Sequence, residues 1–195
     1  MFRNYQLDDA YDEMFARPGE VRSHYAALHQ QLNELPADEF RRRKQAADLS
    51  FLHQGITFTV YGREEGIEKI FPHDLLPRII RQNEWSQLER GLAQRIIALN
   101  LFLKDLYHDQ KILRDGVVPR EMIYTCKHFR RQMLGLNVPR DVYITVVGTD
   151  LIRHPDGRFL VLEDNLRVPS GVSYMLTSRT VMKRIFPELF QQCGV

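Results

Sequence analysis

Apolar residues recur along this 195-residue chain in two different periods, and the change from one to the other outlines the fold. Residues 1–19 show neither period and close on Arg17-Pro18-Gly19, a turn signal, so they are expected to be irregular. Val21, Tyr25, Leu28 and Leu32 then follow helical spacing and predict a helix over 20–34. Pro36 separates it from a second helix over 37–53, whose apolar set is Phe40, Ala47, Leu49 and Leu52. ITFTVY, 56–61, is β-branched and aromatic and reads as a strand. Gly62 and Gly66 bracket a polar turn before a short second strand in EKIF, and the two prolines of FPHDLLPRII predict a loop with a short helical turn.

The strongest helical pattern covers 84–109. Trp85, Leu88, Leu92, Ile96, Leu99, Phe102, Leu103 and Leu106 step by three and four, as a buried stripe does, and are expected to be core. Short helices are expected at 119–125 and 127–133. The period then drops to two. VYITVVG, 142–148, and FLVLED, from 159, flank RHPDGRF, whose Pro-Asp-Gly is a hairpin signal because glycine tolerates positive φ. A last helix is expected over 172–186, stopping before Pro187. The pattern predicts an α+β (mixed α/β) class: a helix-rich first two thirds packed on a small, largely antiparallel sheet with a hairpin near 142–165, all in one domain over 20–195.

Composition changes this picture little. Apolar residues make up 44% and charged ones 27%, an ordinary globular balance, and the net charge is +2 despite 27 Lys and Arg. Such a balance supplies no broad basic field for nucleic acid or an anionic membrane. Arg41-Arg42-Arg43-Lys44 fans around its helix and reads as a solvated face. No apolar run reaches the ~20 residues a membrane span requires, and the acidic, aromatic start is not a secretory signal, so a cytoplasmic setting is expected. Cys126 and Cys193 lack a CxxC and read as reduced thiols, and the seven histidines show no zinc spacing.

The candidate chemistry sits at the end of the hairpin, in "FLVLEDNLRVPSGVSY". Side chains alternate across a strand, so Glu163 and Asn165 share one face and Asp164 the other. A carboxylate and an amide oxygen two residues apart suit Mg²⁺, which takes one or two protein oxygens plus water and substrate phosphates. By spacing alone Asp164 or Asn165 could equally close the hairpin. If the strand continues, Arg167 joins that face as a partner for phosphate or carboxylate. Ser170 and Gly171 open a helix, where unpaired N–H groups attract anions, and Arg179 and Lys183 lie one turn apart as a second clamp, or as solvated charges.

"YDEMF", "GITFTVYGREEG", "IFPHDLLPRII", "ALNLFLKDLYHDQKILRDGVVP" and above all "VLEDNLRVPSGVSYML" with the later "MKRIFPELF" resemble the circularly permuted type-2 ATP-grasp family, whose members were often labelled glutathionylspermidine-synthase-like. The resemblance covers about residues 11–190. It implies a partial ATP-grasp fold, ATP and Mg²⁺ as cofactors, and an ATP-dependent carboxylate–amine ligase working through an acyl phosphate. It further implies Glu163 and Asn165 as metal ligands and Arg167 as the catalytic residue, with Ser170 and Gly171 beside the phosphates or acceptor. Asp150, on the hairpin's first strand, would face the site. Family chains are more than twice as long and carry the nucleotide clamp after this segment, so the chain is expected to be an N-terminal piece or one half of a split protein, inactive alone. Its partners would then be small-molecule or peptide acid and amine substrates and a separate clamp domain. The alternative is a module that binds Mg-nucleotide or assembles with the clamp without turnover.

Overall fold

The computed structural model describes residues 2, 4–60 and 67–192, with the side chains of 58–60, 67, 68 and 192 left aside. In chain order the elements are β1 (Phe15–Arg17), β2 (Glu20–Val21), a 3₁₀ turn (Ser23–Tyr25), α1 (Ala26–Glu34), α2 (Ala37–His53), β3 (Thr57–Val60), β4 (Ile67–Ile70) and α3 (Gln82–Tyr107). There follow α4 (Lys111–Arg114), α5 (Arg120–Tyr124), 3₁₀ turns at Arg131–Met133 and Pro139–Asp141, β5 (Gly148–Arg153), β6 (Phe159–Asn165), α6 (Val172–Ile185) and α7 (Pro187–Gln192). The strands form three two-stranded sheets, β1-β2, β3-β4 and β5-β6. The class is α+β, consistent with part of an ATP-grasp domain.

The residues group into two compact units: Met1–Arg81 with Arg153–Arg158 and Ser170–Val195, and Gln82–Ile152 with Phe159–Pro169. The first holds a connected apolar core built from Tyr25, Leu28 and Leu32 of the first helical stretch, Ala47 and Phe51 of α2, Leu75, and Val181, Met182 and Phe186 near the end of α6. Tyr25 joins it without leaving a polar atom stranded, because its hydroxyl accepts the Ile79 N–H at 2.8 Å. Burial pushes the Tyr25 hydroxyl pKa up to about 12.

The same unit explains "YDEMF". Asp12 Oδ1 accepts the backbone N–H groups of Met14 and Phe15 and fixes a turn. Glu13 pairs with Arg153 at 3.2 Å, and the Tyr11 ring lies between the guanidiniums of Arg22 and Arg153. Gly157, at φ +87°, lies so close to Tyr11 that a Cβ there would stand 2.8 Å from the ring. Only glycine meets both demands.

Several expectations require correction. The stretch 20–34 is helical only from Ser23, since residues 20–21 pair with β1; of its apolar stripe Tyr25, Leu28 and Leu32 are buried and Val21 is half-buried. On α2 the buried face is Ala47 and Phe51, four apart, while Leu49 and Leu52 are exposed. FPHDLLPRII forms bends without a helical turn, and Phe15–Arg17 is a strand within the segment expected to be irregular. β3 and β4 pair antiparallel from Thr57↔Ile70 to Val60↔Ile67; the turn expected around Gly62 and Gly66 lies outside the described residues, as does Cys193. On α3 only Leu106 is buried, Leu88 to Leu103 of the stripe are half-buried, and Trp85 is exposed.

The expected strand at 142–148 is displaced. β5 begins at Gly148, and the preceding residues are held by a side chain instead. Asn100 of α3 accepts the N–H groups of Tyr143 and Ile144 at 2.8 and 3.2 Å and donates to the Asp141 carbonyl at 2.7 Å. Groups so engaged are not available to a ladder. The link from β5 to β6 spans residues 154–158, too short for a parallel crossover, so the pair is an antiparallel hairpin.

Candidate functional site

Built up from β6, the site begins with the strand period. Glu163 and Asn165 are exposed on one face, and Asn165 Nδ2 donates to Glu163 Oε1 at 3.0 Å. The two functional groups therefore meet in open solvent. Asp164 turns the other way, as alternation requires, and its side chain is only 8% exposed. Arg95 of α3 donates to its Oδ2 at 2.6 Å, and Thr149 of β5 donates to its Oδ1 at 2.9 Å.

Gly148 lies against this pair. A Cβ at that position would stand 2.9 Å from the Pro169 Cβ and 3.6 Å from the Asn165 Cβ. The bare backbone of β5 is what lets Asn165 and the following loop close in. Because Gly148 faces Asn165 and Thr149 faces Asp164, Asp150 projects on the Glu163–Asn165 side by the same alternation, and it is exposed.

A magnesium ion fits this donor set as a partial site. Among the described residues no three His, Cys, Asp or Glu side chains gather into a metal cage. One carboxylate, one amide oxygen and an exposed face open to water and phosphate match the partial coordination Mg²⁺ accepts. The amide nitrogen now turned to Glu163 occupies the place its oxygen would take beside a cation; a rotation of the amide group exchanges them.

The remaining candidates fall elsewhere. β6 ends at Asn165 and the chain bends at 167–168, so strand alternation does not carry Arg167 onto the Glu163 face; Arg167 is exposed on that bend. Ser170, Gly171, Arg179 and Lys183 belong to the first unit. There Gly171, at φ +91°, is itself the residue preceding α6, and nothing lies within 4 Å of a Cβ built on it, so its conformation rather than space calls for glycine. Arg179 and Lys183 are exposed one turn apart on α6, with the Arg179 guanidinium 5.4 Å from the Phe190 ring centroid.

The basic run on α2 has carboxylate partners throughout: Arg41 with Asp38, Arg42 with Glu39, Arg43 with Glu39 and Glu188, and Lys44 with Asp48. Hydrogen bonds from Arg43 and Arg42 hold the Glu39 carboxyl below its ordinary pKa. Among the described residues no helix is long and apolar enough to cross a membrane.

Sequence reasoning missed Arg95, Thr149 and Gly148. The Arg95–Asp164 pair spans 69 residues, and no local signal in either segment points to the other.

The chain is 48% identical over 194 residues to an uncharacterised protein of Mycobacterium leprae, covering 97% of this chain and 34% of that one. An uncharacterised Synechocystis protein is 43% identical, across 97% of this chain and 39% of its own length. A Frankia alni protein provisionally named glutamate–cysteine ligase 2-3 is 39% identical across 95% of this chain and 21% of its length. The chain thus spans 34% and 39% of the lengths of the two uncharacterised relatives. Residues 77–195 match the family described as circularly permuted ATP-grasp type 2, and with more than half its length inside that match the chain belongs to this family.

Proposed function

We propose that a protein carrying this chain is an ATP-dependent carboxylate–amine ligase, and that this chain contributes Glu163 and Asn165 to hold Mg²⁺ against the nucleotide phosphates. The observation that carries the reading is the 3.0 Å contact between those two side chains on an exposed strand face, in a chain of the ATP-grasp family. The Frankia relative's name supports ligase chemistry at a coarse level; a glutathionylspermidine-type choice of acid and amine is one specific form of the proposal.

The chemistry asks for positioning and charge neutralisation more than for a protein nucleophile. The acid's carboxylate oxygen bonds to the γ-phosphorus as ADP departs. The amine nitrogen then bonds to the acyl carbon as phosphate leaves and a proton is lost. Magnesium, when bound, screens the phosphate charge in this reaction. Glu163 and Asn165 supply its oxygen donors, with Asp150 projecting from the same face. Arg167 would bind phosphate or acceptor oxygens, while Ser170, Gly171, Arg179 and Lys183 of the first unit stand as a separate candidate anion site.

Titration calorimetry with Mg-ATP on the chain and on Glu163→Ala tests the metal role. Affinity is expected to fall at least tenfold in the variant, the scale of a lost charged ligand contact. Equal affinity in the two proteins removes Glu163 from the site. Binding without ADP formation by the chain alone, with acid and amine present, is expected both of a ligase segment that needs its clamp and of a nucleotide-binding module. ADP formation by the chain alone would overturn the expectation that it needs a separate clamp.

A further inference from the structure

Between the two proposed ligands stands a residue that cannot be a ligand in this geometry. Both Asp164 carboxylate oxygens are engaged, one by Arg95 and one by Thr149, and the side chain is almost wholly buried. A buried carboxylate persists only when its charge and lone pairs are matched. Arg95 supplies the charge from α3, a 26-residue helix and the longest element described.

We infer that Arg95 and Thr149, acting through Asp164, and Gly148, by its lack of a side chain, are positioning residues that aim Glu163 and Asn165; this rests on the reading of that pair as cation ligands. A two-stranded hairpin is marginal by itself and twists readily. Its ligand-bearing face is therefore only as well aimed as its anchors. Here the anchors are three, two of them meeting at Asp164. Arg95 ties β6 to a helix, Thr149 ties β6 to β5 at the same residue, and the bare Gly148 seats the Asn165 Cβ and Pro169 against β5.

Because side chains alternate, fixing Asp164 inward fixes its two neighbours outward. Glu163 and Asn165 then keep only their own side-chain torsions to adjust. A productive site tolerates about 0.5 Å of misplacement, so freedom at Asp164 translates directly into lost ligation. The E-D-N triplet thus divides its labour: the outer two face the ion, and the middle one grips the scaffold.

The test uses the ¹⁵N-labelled 195-residue chain, Mn²⁺ as the probe, and the Asn165 side-chain NH₂ signal, assigned by its disappearance in Asn165→Asp. In the unsubstituted chain Mn²⁺ is expected to broaden that signal, and Glu163→Gln to abolish the effect. Arg95→Gln and Asp164→Asn are expected to need about tenfold more Mn²⁺ for equal broadening, as outer-sphere substitutions do. Arg95→Lys, which keeps the cation, should recover part of the loss. Thr149→Val, a milder change of the same anchor, should shift the titration in the same direction if either charge variant fails to fold.

Unaltered Mn²⁺ titrations in the Arg95, Asp164 and Thr149 variants, with broadening abolished in Glu163→Gln, would overturn the positioning role and leave the ligand pair intact. A shift no larger than the unfolded fraction measured by thermal melting would also overturn it, since a merely structural role does that much. If the unsubstituted chain shows no broadening, or Glu163→Gln keeps it, the ligand pair is wrong. Metal-free exchange of the Asn165 NH₂ protons then decides the positioning role separately: faster in Arg95→Gln supports it, unchanged refutes it.

Discussion

In the first unit the apolar side chains of α1, α2 and α6 close on one another, so Leu28, Leu32, Ala47, Phe51 and Val181 are essentially inaccessible. In the second, among the described residues, only Leu106, Leu113 and Ile144 are buried, and Ile97 and Leu101 of α3 are 60% and 58% exposed. The contrast is one of binding principle. The first unit is held by contiguous apolar burial, which is non-directional and strong in sum. The second is tied by directional polar bonds radiating from α3: Arg95 to Asp164, Asn100 to the 141–144 backbone, Lys104 to Asp141 and His108 to Tyr143. The proposed ligands ride on this second kind of structure. Directional bonds fix orientation with little mass, which is what a ligand-bearing strand needs; a large core fixes stability.

The comparison can be broken by substitution. Phe51→Ala should show the largest effect, a loss of about 3–5 kcal/mol in denaturant unfolding, because it empties a fully buried site in the first unit. A loss near zero would mean that the first unit has no cooperative core. In the second unit Asn100→Ala should cost about 2 kcal/mol, since it strands the N–H groups of Tyr143 and buried Ile144. Amide exchange at those two residues is the sharper readout, and unchanged protection there would deny the polar tie.

A gentler effect is expected from pH, through His73 of the first unit. His73 is buried against Phe51, and desolvation, aided by Lys44, lowers its pKa below 6.5 while Asp74 and Asp48 oppose the shift. The unfolded chain therefore takes up a proton at higher pH than the folded one. Stability is full above pH 6.5 and falls as the pH drops toward the folded-state pKa. Melting curves between pH 7.5 and roughly 5 should show this slope for the chain and a flatter one for His73→Phe. The smallest change is expected for Ile97→Ala on the exposed face of α3, within about 0.5 kcal/mol; a core-sized loss there would erase the distinction between the units.

How far these features were legible differs by residue. α2 starts and stops where Pro36 and the apolar period place it, and α6 ends just before Pro187, because breakers and period act through neighbours in the chain. The shared face of Glu163 and Asn165 followed from a period of two and is what the structure shows. Arg167 would join that face only if the strand continued; the strand ends at Asn165 and the chain bends at 167–168, which alternation does not foresee.

The amino-acid order by itself determined the α+β class, the principal helices and which residues of E-D-N look the same way, since each depends on steps of one to four residues along a covalent backbone. Only the tertiary structure decided that α3's stripe stays half-exposed, that Asn100 takes the backbone groups of 143–144 and moves the first strand to Gly148, and that Arg95 reaches Asp164. The polar meetings join residues 43 to 69 positions apart. They depend on which surfaces come together in space, and no period along the chain carries that information.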